Sequence, residues 1–494
     1  MNRARLLAAL LLAPLLTGCF ASGGGSADDA GDGTRLRAAL AFPPAENLSP
    51  YGADATILSR LGVTEGLTAL DANGSAAPAL AASWQRENDR TWLFTLREAT
   101  FQDGTAVTPA TVVTALTRAT AAKPAPAALS GVTLTARADG DTGVRVTTED
   151  PDPVLPLRLS SPSLAILSAK AYADADRVDP VGHATGPFAL TKVMGATAVT
   201  LDRYDDYWGG RAQASGIDVK FIADGTARAS ALRTDQVDLA EAVPVAQAAG
   251  LDKAVRKATA TTRTTSLQLN TGSGPFKSAA LRAAAREAID TSALADDVYE
   301  GYADPGAGLY GPAMTWADGK RTAPVGRAAA GDPDGTTITL ATYDNRPELP
   351  EVAQVLKQQL EKAGFEVELQ VREYSRLESD VLAGKFDAFV GARNSLVDTG
   401  DPVSVLASDY TCQGSYNLAR LCDKSVDAAV EKAESTTDTD ERRDAAMAAE
   451  ARILGTDAVV PLVHQEIITG VGTGVRGALL DPYERTLVGT GTRR

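Results

Sequence analysis

Between Thr337 and Val390 the chain alternates strand, helix, strand, helix, strand without a break. Thr337 to Thr342 (TITLAT) is β-branched and apolar, as a buried strand requires. Pro347 to Ala363 has helical spacing and runs into Gly364, the residue type that ends a helix in the left-handed conformation. Phe365 to Val371 (FEVELQV) reads as the second strand, Ser375 to Ala383 as the second helix and Phe386 to Val390 as the third strand. Strands separated by helices pair through right-handed crossovers, which makes the sheet parallel and the fold α/β. Ligands of such folds meet the loops at the carboxyl ends of the strands. The loop past the third strand carries Asp398-Thr399-Gly400-Asp401-Pro402. Taken alone it reads as a solvated turn, since Asp, Gly and Pro are all turn formers. Its position makes its carboxylates candidates for ligand contact.

The rest of the chain has enough length for roughly two to four domains. Trp92, Phe94 and Leu96 alternate as in a half-buried strand, and with Trp84 they read as core aromatics. Thr108-Pro109 predicts a helix start, with the helix running to about Thr120. Val132 to Ala136 and Val144 to Val146 flank Asp139-Gly140-Asp141 as a hairpin. Arg282 and Asp290 read as structural polar groups. His183 and His464 stand alone, with no second ligand at metal spacing, and also read as structural.

The N-terminus predicts export. Arg3 and Arg5 precede an apolar run, Leu6 to Leu16, too short to span a bilayer. It ends in Leu16-Thr17-Gly18-Cys19, which resembles the bacterial lipobox. That likeness implies a signal peptide over residues 1–18 and a lipid-bearing Cys19 as the first mature residue. A Gly- and Ser-rich stretch over 19–34 reads as a flexible tether. The expected place is outside the cytoplasm, anchored to a bacterial cell membrane. Lys and Arg number 48 against 63 Asp and Glu, a formal charge of −15, which argues against nucleic acid and other polyanionic partners. Cys412 and Cys422 remain; in an exported protein an even pair so close together is most simply a disulfide. The alternative, metal ligation, lacks a nearby His or third Cys.

Several segments carry a family likeness in order: Trp92-Leu-Phe-Thr-Leu-Arg97, Phe101-Gln-Asp103-Gly104-Thr105, Thr185-Gly186-Pro187-Phe188 and Tyr207-Trp208-Gly209-Gly210. Leu232-Arg-Thr-Asp-Gln-Val-Asp238, Leu267-Gln-Leu-Asn270, Pro275-Phe276-Lys277 and Val459-Val460-Pro461-Leu462 continue it. Together they resemble the extracytoplasmic solute-binding proteins, family 5, of dipeptide, oligopeptide and nickel ABC importers. The resemblance implies a two-lobed, periplasmic-binding-protein-like α/β fold with an inserted subdomain and a hinge. Lobe I is then 35–64, 185–266 and 467–494, the insert 65–184 and lobe II 267–466, with crossing segments near 266 and 466. It implies a monomer without cofactor or resident metal, handing its ligand to ABC permease subunits.

A peptide enclosed between lobes must have both terminal charges paired, because an unpaired buried charge is costly. The acidic turn resembles the Asp-x-Gly-Asp-Pro turn of the family's dipeptide binders, which makes Asp398 the expected ammonium partner and Asp401 a supporting turn group. The stretch from Cys412 to Cys422 resembles their disulfide loop. Arg346, between the strand 337–342 and the next helix, is the expected carboxylate partner, with Arg393 as a second candidate. Ala392-Arg393-Asn394-Ser395 stands where the dipeptide binders carry aromatic residues. This departure keeps open a nickel-chelate or metallophore ligand. A secreted hydrolase is the remote alternative; Gly-x-Ser-x-Gly, His-Glu-x-x-His and Ser-x-x-Lys are all missing from the chain. Replacing Cys19 by Ser is expected to move the protein from the membrane fraction to the soluble one; full retention on fractionation would refute the anchor.

Overall fold

The computed structural model describes residues 34–174 and 177–494. The export signal, Cys19 and almost all of the tether lie outside these residues. Among them, no helix is long and apolar enough to cross a membrane.

One mixed sheet of 11 strands runs through the molecule. At one end, Thr337–Tyr343 lies parallel between Glu366–Arg372 and Ala388–Asn394, as the β-α-β-α-β run predicts. The helix between the first two strands is Glu348–Lys362, and Gly364 after it has φ 105°. The second expected helix is only a 3₁₀ turn, Tyr374–Arg376, and the short α-helix Glu378–Leu382. Toward the other end of the sheet, Leu36–Leu40 pairs in parallel with Gly216–Phe221 and Leu239–Ala240.

Two long strands join the ends. Arg256–Leu269 pairs with Ala388–Asn394, and Val459–Val471 pairs with Leu239–Ala240. They also pair with each other, antiparallel, with a register break between Ala260 and Thr264. A bulge bends a ladder locally and re-aims its side chains. Thr261, Thr262 and Arg263, inside the break, are therefore free to bond elsewhere. Thr262 N donates to Pro482 O at 3.1 Å and its Oγ1 to Asn394 Oδ1 at 2.7 Å.

The core follows this division. One cluster packs Leu36, Phe94, Phe101, Phe188 and Ile217, together with Val475 and Val488 from the C-terminal segment. A second packs Leu267, Leu340, Leu356, Val390 and Leu462. A third gathers Tyr310, Leu406, Val430, Met447 and Tyr483. Trp84 and Trp92 are partly buried against the first cluster, and Trp92 Nε1 donates to Asp152 O at 3.1 Å. The hairpin predicted near 132–146 is Leu134–Asp139 with Gly143–Thr148. Thr108 caps the helix Pro109–Ala121 through the Thr111 amide.

Cys412 and Cys422 form a disulfide, closing a loop that carries Tyr416 and Leu418. Replacing both by Ser is expected to lower stability by roughly 2–3 kcal/mol, since a short closed loop loses its constraint on the unfolded chain. Denaturant unfolding without reductant measures this, and an unchanged midpoint would contradict it.

Candidate functional site

The strand Ala388–Asn394 extends four residues beyond its sequence-predicted end. Ala392, Arg393 and Asn394 are held by pairing with Thr265, Thr264 and Arg263 of the crossing strand. Arg393 therefore projects from a rigid strand rather than a loop. Its guanidinium donates from Nε to Asp409 Oδ2 at 3.0 Å and from Nη2 to Asp409 Oδ1 at 3.4 Å. A third contact reaches Asp398 Oδ2 at 3.4 Å, and the group lies 5.0 Å over the Tyr416 ring. Burial works against this charge, but the two carboxylates outweigh it and hold the guanidinium above its ordinary range.

Arg346 lies in the loop between Thr337–Tyr343 and Glu348–Lys362, where the strand-end argument puts it. It is half-buried, and its side chain forms no hydrogen bond or ion pair with the described residues. Arg346 and Arg393 line one cavity of about 410 Å³, with Arg263 beside them. Its apolar wall is aromatic: Tyr343 meets Tyr374 edge-on at 4.9 Å and stacks with Phe389 at 6.2 Å. Tyr416 joins Tyr374 through their hydroxyls, and Tyr374 Oη donates to Glu378 Oε1 at 2.7 Å. Gly391 makes room for this wall, because a Cβ there would come within 2.5 Å of the Phe389 ring.

The acidic turn divides. Asp398 has a half-exposed side chain (38%), stands beside Arg393 and is not in the cavity wall. Asp401 does not face the cavity at all. It is 1% exposed, its Oδ2 accepts from Ser404 N at 3.1 Å to cap the helix Pro402–Tyr410, and Arg442 grips both its oxygens at 3.0 and 2.8 Å. Burial would raise this carboxyl, but Arg442 holds it below its ordinary value. Asp401 thus supports the turn as a helix cap, with Arg442 as its partner. Asp401 and Arg442 are 41 residues apart, so no local pattern marks the pair.

Arg263 was missed because it sits in a polar run, Thr261-Thr262-Arg263-Thr264-Thr265, with no motif around it. It bonds Glu484 at 3.0 Å. Glu484 also accepts from Arg60 Nη2 at 3.2 Å and from Asn394 Nδ2 at 3.0 Å. Arg60 is paired in turn with Glu241, whose Oε2 accepts from Ala41 N at 2.8 Å. One carboxylate thus joins both ends of the sheet and a crossing strand. Burial alone would raise the Glu484 carboxyl; Arg263 and Arg60 outweigh it and hold it at about 2. Of the three guanidiniums around the cavity, only that of Arg346 lacks a carboxylate in direct contact among the described residues; it acts on Glu484 at longer range, helping to lower that carboxyl.

His464 is buried against Thr264 Oγ1 at 3.0 Å, and burial lowers it to about 4. His183 Nδ1 lies 3.0 Å from Asp179 O. Among the described residues, no group of three His, Cys, Asp or Glu side chains is placed to hold a metal.

A folded pKa of about 2, below the ordinary 4.5, means Glu484 adds stability above about pH 4.5 that is lost as pH falls through 2. Glu484→Gln is expected to cost about 3–5 kcal/mol at neutral pH, because two buried guanidiniums lose their anion. The variant should also show a shallower loss of stability between those pH values. Denaturant unfolding across pH checks both, and parallel pH profiles would contradict the assignment.

The family model for bacterial extracellular solute-binding proteins, family 5 Middle, matches residues 75–417. The glutathione-binding protein GsiB of Escherichia coli is 26% identical over 493 residues, covering 92% of this chain and 95% of its own. The nickel-binding protein NikA of Staphylococcus aureus is 25% identical over 410 residues, covering 80% of this chain and 82% of its own. The crystal structure of that NikA in complex with Ni(L-His)2 aligns with a TM-score of 0.78 at 22% identity, covering 93% of this chain and 99% of that one. DppA of Helicobacter pylori in complex with peptide STSA aligns with a TM-score of 0.75 at 20% identity, covering 92% and 97%. The two-lobed fold, the crossing strands and the family match over most of the chain agree: this protein belongs to the extracytoplasmic solute-binding proteins of family 5, the binding components of ABC importers.

Proposed function

We propose that this protein is a lipid-anchored, monomeric and non-enzymatic receptor that captures a short peptide and delivers it to an ABC permease. The observation that carries this reading is the unpaired guanidinium of Arg346 on the wall of a cavity of about 410 Å³. A cation without a partner in a partly enclosed aromatic site is completed by a ligand carboxylate, and Arg offers a pre-organised fork for it. The volume lies toward the lower end of the usual range for small-ligand sites, which favours a di- or tripeptide over a long chain. Asp398, half-exposed and held by Arg393 through a single 3.4 Å contact, keeps acceptor capacity for a ligand ammonium. Closure then moves residues 267–466 against the rest of the chain about the two crossing strands.

The gathering of Arg263, Arg346 and Arg393 around one cavity favours a second reading, a ligand with several carboxylates such as a metal chelate. In that case the chelate holds the metal and the protein holds the chelate. The peptide named with DppA and the nickel complex named with NikA span the same two possibilities.

Titration calorimetry with Ala-Ala separates the roles. Arg346→Ala and Asp398→Ala are each expected to weaken binding by about 10²–10³-fold, the cost of leaving a terminal charge of the enclosed ligand without its partner. Unchanged affinity in the Arg346 variant would overturn the carboxylate assignment, and unchanged affinity in the Asp398 variant the ammonium assignment.

A further inference from the structure

A second chamber, of about 490 Å³, adjoins the aromatic cavity. Phe42, Asn345 and Arg346 line both, so a ligand held at Arg346 faces either space. The two differ in charge. The aromatic cavity gathers guanidiniums, whereas carboxylates of Asp224, Asp344, Glu348 and Glu466 border the second chamber. Its other cation, Arg228, is committed to four backbone carbonyls, those of Ile222, Ala223, Glu241 and Ala242, at 2.6–2.9 Å. Asp224 is committed to a helix cap, accepting from Ala227 N at 2.7 Å. Asp344, Glu348 and Glu466 form no side-chain ion pair with the described residues.

An independent observation comes from the floor of the chamber. Gln465, on the crossing strand Val459–Val471, is 6% exposed and lines the space. Its side-chain amide has no hydrogen-bond partner among the described residues. An amide left unpaired on a cavity wall keeps its acceptor oxygen for whatever enters the cavity. Glu466 beside it is partly buried, and burial with the nearby Asp304 raises its carboxyl. A cation entering the chamber would meet the amide oxygen as an acceptor and favour the charged form of the Glu466 carboxyl.

We propose that this chamber is a side-chain subsite for a basic group, an ammonium or guanidinium, on the ligand residue whose carboxylate pairs with Arg346. The proposal rests on the peptide reading above and narrows it to short peptides ending in a basic residue. Glu348 and Glu466 supply the opposite charge and Gln465 the neutral acceptor. The two carboxylates come from different elements, the helix Glu348–Lys362 and the crossing strand, so the basic side chain also ties the helix to the strand.

Calorimetry on the full protein with Ala-Lys, Ala-norleucine and Ala-Ala tests it. Ala-Lys is expected to bind tighter than Ala-norleucine by on the order of tenfold. The preference is expected to vanish in the Glu348→Gln, Glu466→Gln double variant while Ala-Ala affinity stays the same. Equal affinity for Ala-Lys and Ala-norleucine, with Ala-Ala still bound, would overturn the subsite and leave the peptide reading standing. Failure of the wild-type protein to bind any of the three would overturn the peptide reading and the subsite with it. The wild-type comparison alone decides the matter if the double variant does not fold.

Discussion

The Glu484 carboxylate sits where the two ends of the sheet, a crossing strand and the C-terminal segment meet. It is 8% exposed in its side chain and touches Arg60, Arg263 and Asn394 together. A charge so placed survives only because its partners are fixed around it. The arrangement works in both directions. Arg60 belongs to a helix packed on the first core, and Asn394 ends the strand that carries Arg393. Whatever moves one end of the sheet relative to the other must strain or break this link. Arg263 and Asn394 also line the cavity of about 410 Å³, which places the link on the wall of the proposed site.

The same economy of contacts explains why Arg346 stands out. Arg393 is neutralised by Asp409 and Asp398, and Arg263 by Glu484. Both are positioned from strands whose register is set by neighbours, and both are held in place before any ligand arrives. Arg346 comes from a loop at a strand end and has no such carboxylate in contact among the described residues. The aromatic wall supplies apolar surface at little cost in conformational freedom, since its rings already hold one another through Tyr343, Tyr374, Phe389 and Tyr416. The preorganised part and the open part of the site are thus separate residues.

Local patterns were enough to read the parallel run from Thr337 to Val390, the Thr108 helix cap, the hairpin near Asp139 and the cysteine pair. Each depends on residues close in sequence, where periodicity and turn chemistry act. The misses share a different cause. Ala392-Arg393-Asn394 reads as a loop until its pairing with Arg263, Thr264 and Thr265 is known. Asp401 reads as a turn group, and only Arg442, far along the chain, shows that it is buried. The seven-residue helix Asp54–Arg60 is too short to declare itself by periodicity. The aromatic wall of the cavity comes from four segments, through Tyr343, Tyr374, Phe389 and Tyr416. A sheet assembles such a wall from distant strands and loops, so spacing along the chain carries no trace of it.

The proposed ligand is a carboxylate-bearing molecule of di- or tripeptide size held at Arg346. Mass spectrometry with metal analysis, on whatever the denatured protein releases after gentle purification, tests this most directly. The expected release is a small molecule with a free carboxylate, a short peptide without stoichiometric metal. Release of a neutral ligand such as an uncharged sugar, or of a long peptide, would contradict it.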